Sequence, residues 1–521
     1  MPIAIVDRSK GERILHSFTI FKYRPGKEGD KRYKARIVLN GSTLKADWNE
    51  VYSSVVRTSS VRLFCRLVAW FQLVTRVADL SQAYIQTKIR PEDGRHFMMV
   101  PNGYRDYSNN KVEGEPVDGK RYCLQLQAWL YGHKYSAKKL KESLNRILVD
   151  SMGFKISDHD TAMYYRVGKY NGKERMDLVL LYVDDYYSGH LTDEQADDFY
   201  DEIRKHGLEL TVDPDAGAYL GFEIEKEDTP DGEALILHAN SFEQEFVKQY
   251  DPDGNIKPRT TPGDPNITFA AVQDDCETNG SNDKDSVKKA KGIVGSALYA
   301  AGRAAPSTAS AVVLLASTAN KPGPLWWKAA KHLIGHFKLR AAQKVGLRYT
   351  PRKRGEPLIP KIEILSDSSF ATTKTYRSLG GYLIAVGGEV IDWRSSLTRI
   401  VTLSTLESEC CHYSDAVRTG LYFQQLLAQL GICIKTIDTA TDNQALYKVI
   451  NGGSLSRSKH ISYRFVHARD MLKDGYLSVS HLGTHYMLAD IMSKPMRNQR
   501  MFHFLRDQFM YVQNPAELGT G

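Results

Sequence analysis

A chain of 521 residues is too long for one hydrophobic core, so about two to four domains are expected. At 42% hydrophobic and 25% charged residues its make-up is that of an ordinary globular protein. Lys and Arg exceed Asp and Glu by 70 to 61, a net charge of +9, which suits a polyanion-binding protein and equally a plain basic one.

The six cysteines form no CxxC pair, which argues against a zinc site or a disulfide framework and for a reduced, intracellular setting. The N-terminal "MPIAIVDRSKGER" turns charged too soon for a secretory signal. No apolar run approaches the roughly 18 residues of a membrane span, and no membrane association is expected.

In chain order, "ILHSFTIFKYR" (14–24) alternates like a strand, "GKEGDK" (26–31) is a polar turn and "ARIV" (35–38) resumes strand character. "SSVRLFCRLVAWFQL" (59–73) predicts a helix with serines before its apolar residues. "VADLSQAYIQTKI" then brings Asp79 out of an apolar edge. Residues 136–154 predict an amphipathic helix with Leu140, Leu144, Ile147 and Leu148 on one face. The stretch 251–290, rich in Asp, Pro, Gly and Asn, is the best linker candidate. Residues 287–345 are helical by pattern, and 350–361 is a second polar break. From 362 the pattern is strands, a long helix, then strand and helix again, which reads as an α/β domain. The tail from about 500 carries no pattern.

"LVLLYVDDYYSGH" (178–190) poses the functional question, because an apolar strand leads straight into Asp184 and Asp185. The plain reading is a hairpin whose polar turn follows a buried strand. The functional reading needs a third carboxylate, and Asp79 offers it. Three carboxylates can hold divalent cations for phosphoryl transfer, and hard Mg²⁺ wants oxygen ligands.

"YVDD" after an apolar run, with "DLSQAY" upstream, resembles a reverse transcriptase. "RYKARIVLNG", "VYSSVVRTSSVRL", "MVPNGY", "WLYGHK", "YLGFEIE", "GSALYAA" and "WWKAAKHLIGHFK" narrow the resemblance to the Pol polyprotein of copia-type (Pseudoviridae) LTR retrotransposons, over roughly residues 12–500. The resemblance implies that Asp79, Asp184 and Asp185 are the metal-binding polymerase triad. It implies that Lys34 and Arg36 hold the incoming triphosphate, and that Tyr84 excludes a 2′-hydroxyl. Tyr219, Leu220 and Gly221 match the primer grip. Taken singly, Tyr84 reads as a core tyrosine, and Lys34 and Arg36 as a solvated edge.

A second acidic set follows. Asp367 ends an alternating strand, Glu407 lies in the first turn of a long helix, Asp442 ends a strand and Asp490 lies in a short C-terminal helix. Each has a plainer reading: Glu407 as half of a capping box with Ser404, Asp442 as a helix cap, Asp490 as a surface charge. Together their order resembles ribonuclease H, and "SDSSF", "RSLGGYLIAVGG", "LSTLESE", "TDNQA", "RSKHISYR" and "LADIMSKP" match the copia-type version. His485 matches a loop histidine that assists product release in retroviral relatives, although a plain exposed histidine is commoner. His460, in "SKHIS", has no assigned chemistry.

The fold implied is an α+β right-hand polymerase followed by an α/β RNase H-like domain. Fingers and palm take 1–255, a linker and helical thumb or connection-like region 256–360, the RNase H-like domain 361–500 and a C-terminal tail 501–521. The implied function is RNA- and DNA-directed DNA synthesis with RNase H activity, using two Mg²⁺ per site with Mn²⁺ able to substitute. Partners would be an RNA template, a DNA primer, the RNA–DNA hybrid and dNTPs, with a homodimer or element-encoded proteins such as integrase compatible. The setting implied is the cytoplasm, in a virus-like particle, with the nucleus also open. Two alternatives stay open: RNase H activity alone, and a degenerate or domesticated protein that only binds nucleic acid. One word departs from the family, which has "LKQAPRAW" where this chain reads "HKYSAKKL", so that Tyr135, Ala137 and Leu140 replace Gln, Pro and Trp. An amide's hydrogen bonds are lost at Tyr135, which puts polymerase efficiency in question.

Overall fold

The computed structural model describes residues 3–4, 13–25, 31–101, 104–106, 115–116, 123–170, 172–452, 462–494, 496 and 498–513. Residues 26–30 of the turn predicted at 26–31, two residues of "MVPNGY" and His460 lie outside the described residues.

The N-terminal part contains a two-stranded antiparallel ribbon, β1 (Ser17–Pro25) and β2 (Lys31–Leu39). Helix α1 (Thr58–Phe71) leads into β3 (Val74–Leu80). Helix α2 (Ser136–Asn145) continues into a π-helical turn, Arg146–Ser151, so the expected single helix changes its pitch midway. Strands β4 (Lys155–Ile156), β5 (Met163–Tyr170), β6 (Lys173–Tyr182) and β7 (Asp185–His190) follow, then α3 (Asp193–Lys205) and β8 (Leu210–Asp213). These strands form one antiparallel sheet in the order β4-β5-β6-β7-β3-β8.

Both faces of this sheet are covered. Leu178, Leu180 and Tyr187 pack into a core with Phe64, Leu67 and Val68 of α1. Val179, Leu181 and Tyr186 point the other way, into a core with Leu140 and Leu144 of α2 and Phe199 and Ile203 of α3. The apolar run before the paired aspartates is therefore continuous because neither face of β6 meets water.

A second sheet starts with β9 (Ala218–Tyr219), β10 (Phe222–Thr229) and β11 (Gly232–His238). The helical region comprises α4 (Asn240–Tyr250), α5 (Phe269–Asn279), α6 (Lys284–Arg303), α7 (Ala309–Ala316) and α8 (Pro324–Gln343), ending in β12 (Val345–Tyr349). The stretch expected as a linker thus contains a helix. Thr268 caps α5 by accepting from the Ala271 N–H, and Phe269, Val272 and Cys276 are buried in the helical core. The polar second half of this helix hides its pattern in sequence, yet the spacing of three and four between its buried residues puts them on one face.

The C-terminal part is a five-stranded sheet built from β13 (Ile362–Ser369), β14 (Leu379–Val386), β15 (Glu389–Leu397), the long helix α9 (Thr405–Gln429), β16 (Ile437–Thr441), α10 (Gln444–Ile450), α11 (Ser462–Lys473) and β17 (Leu477–His481). Its order is β15-β14-β13-β16-β17, antiparallel in the first three strands and parallel from β13 to β16 to β17. That topology, with α9 packed on β13, is an RNase H-like fold. Helices α12 (Asp490–Ser493) and α13 (Gln499–Asp507) and strand β18 (Tyr511–Val512) close the described chain. The boundary placed at 500/501 falls inside α13, and β18 pairs with β12 in the order β9-β10-β11-β12-β18, so the tail completes the second sheet. A two-residue strand leaves too little sequence pattern to be seen.

Candidate active sites

Asp79, near the end of β3, lies directly opposite Asp185, the first residue of β7. Asp184 belongs to the two-residue turn between β6 and β7, and its carbonyl accepts from the Leu80 N–H at 2.9 Å. The sheet therefore brings all three aspartates to one end. Val183 in that turn has φ +60°, a left-handed conformation disfavoured for a β-branched residue, held here by the strands on either side. Burial, then Asp184 and Asp79, push the Asp185 carboxyl up to about 6. Burial and Asp79 also raise Asp184, against the pull of Arg36 and Lys34.

A cavity of about 620 Å³ adjoins this cluster, lined by Asp79 and Asp184 and by Lys34 and Arg36 of β2. Gln82 and Tyr131 line it too, neither singled out in the sequence reading. The Arg36 guanidinium lies 5.0 Å from the Tyr131 ring centre. Tyr84 reaches the cavity only through Tyr131, against which its ring packs edge-on at 4.7 Å. Burial and Asp184 push the Tyr84 hydroxyl up to about 12. Tyr131 was visible only as part of the word "LYG". Its Gly132 has φ +85°, and a Cβ there would collide with the Leu39 carbonyl, so glycine lets this loop lie against β2.

Tyr219, Leu220 and Gly221 form the tight turn from β9 to β10, with φ +48° at Leu220 and +78° at Gly221. The buried Tyr219 hydroxyl donates toward the carbonyls of Leu180 at 3.4 Å and Asp185 at 3.5 Å. A Cβ at Gly221 would collide with the Tyr299 hydroxyl of α6.

Tyr135 does not line the carboxylate cavity. It lines a separate one of about 590 Å³ with Arg13, Lys45, Arg95, His96 and His133. The Tyr135 N–H donates to His133 Nδ1 at 3.2 Å, which leaves the His133 proton on Nε2 to donate to His96 Nδ1 at 3.2 Å. His96 Nε2 then donates to the Asp93 carbonyl at 3.0 Å. Burial lowers both imidazoles, and with His96 beside it His133 is pushed down to about 3.

In the C-terminal domain, Asp367 of β13, Asp442 just past β16 and Asp490 at the start of α12 each offer a carboxylate oxygen within 4.8 Å of the others. Three oxygen donors this close could hold a hard metal ion. Burial, then Asp367, raises Asp442, and raises Asp490 to about 7. Asp442 does not cap α10; Asn443 does, accepting from the Leu446 N–H at 3.0 Å.

Glu407 is not the fourth member. Its Oε2 accepts from the Leu403 N–H at 2.6 Å, one residue before the N-cap, and its own N–H donates to Ser404 Oγ at 3.2 Å, so it helps to cap α9 without closing the reciprocal capping box. The carboxylate turned to the cluster is Glu409, two residues on. Burial, then Asp367 and Asp442, push it up to about 9. Its Oε2 is buried with no hydrogen-bond partner among the described residues, as suits a ligand atom facing a cation. Two residues turn a helix by about 200°, so the two glutamates of "LESE" face opposite ways. The usable signal was the stripe Glu409–Tyr413–Ala416–Gly420–Phe423–Leu427, all buried, with Gly420 against Ile364 of β13.

Lys494 also went unnoticed in sequence; its Nζ is 2.7 Å from Asp490 and 3.9 Å from Asp367. The Ser493 hydroxyl donates to Asp367. His485 is exposed on the single turn Thr484–Tyr486, beside Thr484, which hydrogen-bonds Asp442.

A family model described as "Reverse transcriptase (RNA-dependent DNA polymerase)" matches residues 3–262. The chain is 25% identical over 505 residues to a retrovirus-related Pol polyprotein from transposon TNT 1-94 of Nicotiana tabacum, covering 94% of this chain and 35% of that protein. It is 25% identical over 491 residues to the corresponding polyprotein from transposon RE2 of Arabidopsis thaliana, covering 91% and 30%. The chain thus spans about a third of the relatives it matches. Among solved structures, a foamy viral protease-reverse transcriptase in complex with double-stranded DNA is 14% identical, with a TM-score of 0.48, covering 89% of this chain and 65% of that one.

Proposed function

The chain belongs to the copia-type family of retrotransposon Pol polyproteins, and from that premise we propose that it is an RNA- and DNA-directed DNA polymerase that also degrades the RNA of an RNA–DNA hybrid. The observation that carries the reading is that one chain builds two separate carboxylate clusters, Asp79–Asp184–Asp185 and Asp367–Glu409–Asp442–Asp490.

In the first, Lys34 and Arg36 line one cavity with Asp79 and Asp184, so the triphosphate of a dNTP would meet cations beside the carboxylates that hold the metal. Tyr131 and, through it, Tyr84 shape the wall for the sugar. The Tyr219 turn, tied to the backbone of Asp185, sets the primer end against the triad. In the second, the acidic ring receives the scissile phosphate of the RNA strand, and Lys494 offsets its charge. A pair of Mg²⁺ or Mn²⁺ bound in each cluster would lower the pKa of the attacking hydroxyl or water and stabilise the leaving oxygen. RNA template, DNA primer, hybrid and dNTPs are then the partners, in an intracellular setting that suits six free thiols.

The test is primer extension on poly(rA) and digestion of a labelled RNA–DNA hybrid, run in parallel with Mg²⁺. Asp184→Asn and Asp185→Asn should abolish extension and leave cleavage intact; Asp442→Asn should do the reverse. Extension by the Asp185→Asn variant at the wild-type rate would overturn the polymerase assignment.

A further inference from the structure

The loop that departs from the family's word borders a cavity that the polymerase and nuclease readings leave without a use. Its volume, about 590 Å³, falls within the roughly 300–1,000 Å³ of small-molecule sites. Its charge is of one sign, since Arg13, Lys45 and Arg95 line it and no Asp or Glu does. Arg13 donates to the Thr43 carbonyl at 2.9 Å, and neither Arg13 nor Lys45 has a carboxylate partner among the described residues. A concave surface of one sign concentrates ions of the other. A lining without carboxylates also offers Mg²⁺ no charged ligand, so the anion that enters needs no metal.

The other polar lining is made of rings. His96, His133 and Tyr135 are held in place before any ligand arrives. The ring of Trp129, itself 1% exposed, lies 4.9 Å from that of His96 and 5.0 Å from that of His133, and His133 lies 5.5 Å from Tyr135. Every nitrogen of the two histidines is taken up, by the Tyr135 N–H, by the bond between the rings and by the Asp93 carbonyl. The histidines therefore present flat surface and no free hydrogen-bonding atom, which suits stacking on a base of any identity. The walls are also tied together. The Lys134 ammonium donates to the Leu44 carbonyl, next to Lys45, and a Cβ on Gly41 would collide with the Gly132 carbonyl. A site built this way loses little freedom when it is filled. His133 and Tyr135 stand where the family's word has Leu and Gln, so these rings belong to this chain and not to the family pattern.

We propose that this cavity is a second nucleotide site, which takes a free nucleoside di- or triphosphate without a metal ion, its phosphates on Arg13, Lys45 and Arg95 and its base against His96 and Tyr135. Charge favours a free nucleotide over one unit of a strand. A terminal phosphate carries about −1.5 to −2 at pH 7, whereas a phosphodiester carries a single charge, and three cations match the former better. Neither the site nor its test depends on the polymerase reading.

The experiment is equilibrium dialysis of radiolabelled ADP against the full chain in EDTA at low salt. Wild type should bind one ADP per chain, and GDP and CDP should displace it within about threefold of ADP itself, because stacking accepts every base. Lys45→Glu reverses a charge at an exposed residue, and Tyr135→Ser removes a ring; each should weaken binding by about tenfold or more. Lys34→Met, in the carboxylate cavity, should leave ADP binding in EDTA unchanged. Near-UV circular dichroism shows which variants fold, and Lys45→Glu carries the test alone if Tyr135→Ser does not. No bound ADP, or binding lost in Lys34→Met and kept in Lys45→Glu, overturns the site. Pyrophosphate displacing ADP as well as ADP does reduces it to an anion site and overturns the nucleotide. Displacement by the single-stranded overhang of a primer–template at lower concentration than by unlabelled ADP assigns the cavity to a strand and overturns the free nucleotide.

Discussion

Glu407 and Glu409 are two residues apart and do different work. Glu409→Gln should lower hybrid cleavage by more than about a hundredfold, since it removes a buried carboxylate that faces the cluster. Glu407→Gln should leave the cleavage rate within a few-fold and cost about 1 kcal/mol of stability through the weakened cap. Parallel hybrid digestion and urea unfolding check both. The reverse ranking would return Glu407 to the site.

His133 makes a second prediction at this scale. Its folded pKa, about 3, is far below the ordinary imidazole value, so the fold favours the neutral ring. Stability from this group is complete above pH 6.5 and falls as pH drops from there toward 3, because the unfolded chain takes up the proton first. At pH 5.5 the loss is on the order of 1 kcal/mol. Protonation would put a hydrogen on Nδ1, where the Tyr135 N–H now donates, and burial together with the neighbouring His96 opposes the added charge. Chemical denaturation of wild type and His133→Asn at pH 7.5 and 5.5 should show a flatter dependence in the variant. The loop that departs from its family's usual word is therefore packed and hydrogen-bonded, with Tyr135 away from the polymerase cavity. Tyr135→Gln should change the dNTP dependence of extension by less than about threefold.

Among the elements, β6 shows why an apolar run can be read and its register cannot. Leu180 is fully buried against α1, and Leu180→Ala should cost about 3 kcal/mol, measured by urea unfolding. The run signalled a buried strand. Which residues faced α1 and which faced α2 and α3 depended on helices far away in the chain. Strand β18 lies at the other extreme. Its two residues pair with β12, and Gln513 donates to Glu225 at 2.9 Å, yet nothing in the local sequence marks them.

Over the whole molecule, the polymerase half is not self-contained. The family match ends at residue 262, but α1 inside it is buried by residues 345–393. A chain stopped at residue 350 takes from Arg62 and Arg66 their carboxylate partners Asp392 and Glu389 and half of their carbonyl acceptors, and bares the apolar side of the helix. It should be molten or insoluble, read as loss of near-UV circular dichroism and gain of ANS binding. The full chain with Asp367→Asn and Asp442→Asn should keep its extension activity, which shows that the C-terminal domain is needed as structure and not for its nuclease chemistry. Among the described residues no helix is long and apolar enough to cross a membrane.

By itself the sequence carried the resemblance to the copia-type polyproteins and six of the seven expected acidic positions that the fold gathers into two clusters. Those positions stand at strand ends and short turns, where type and spacing are written locally: Asp79 after an apolar edge, Asp184 and Asp185 after a buried strand, Asp442 before an Asn-capped helix. Tertiary structure decided what local spacing leaves open. The rotation of α9 on its sheet chose Glu409 over Glu407, and the approach of the 130–135 loop to β2 put Tyr131 in the cavity and Tyr135 outside it. The burial of two arginines between domains was equally invisible, because a charged residue on an amphipathic helix looks solvated until the carbonyls that receive it, some 300 residues away in sequence, are in place.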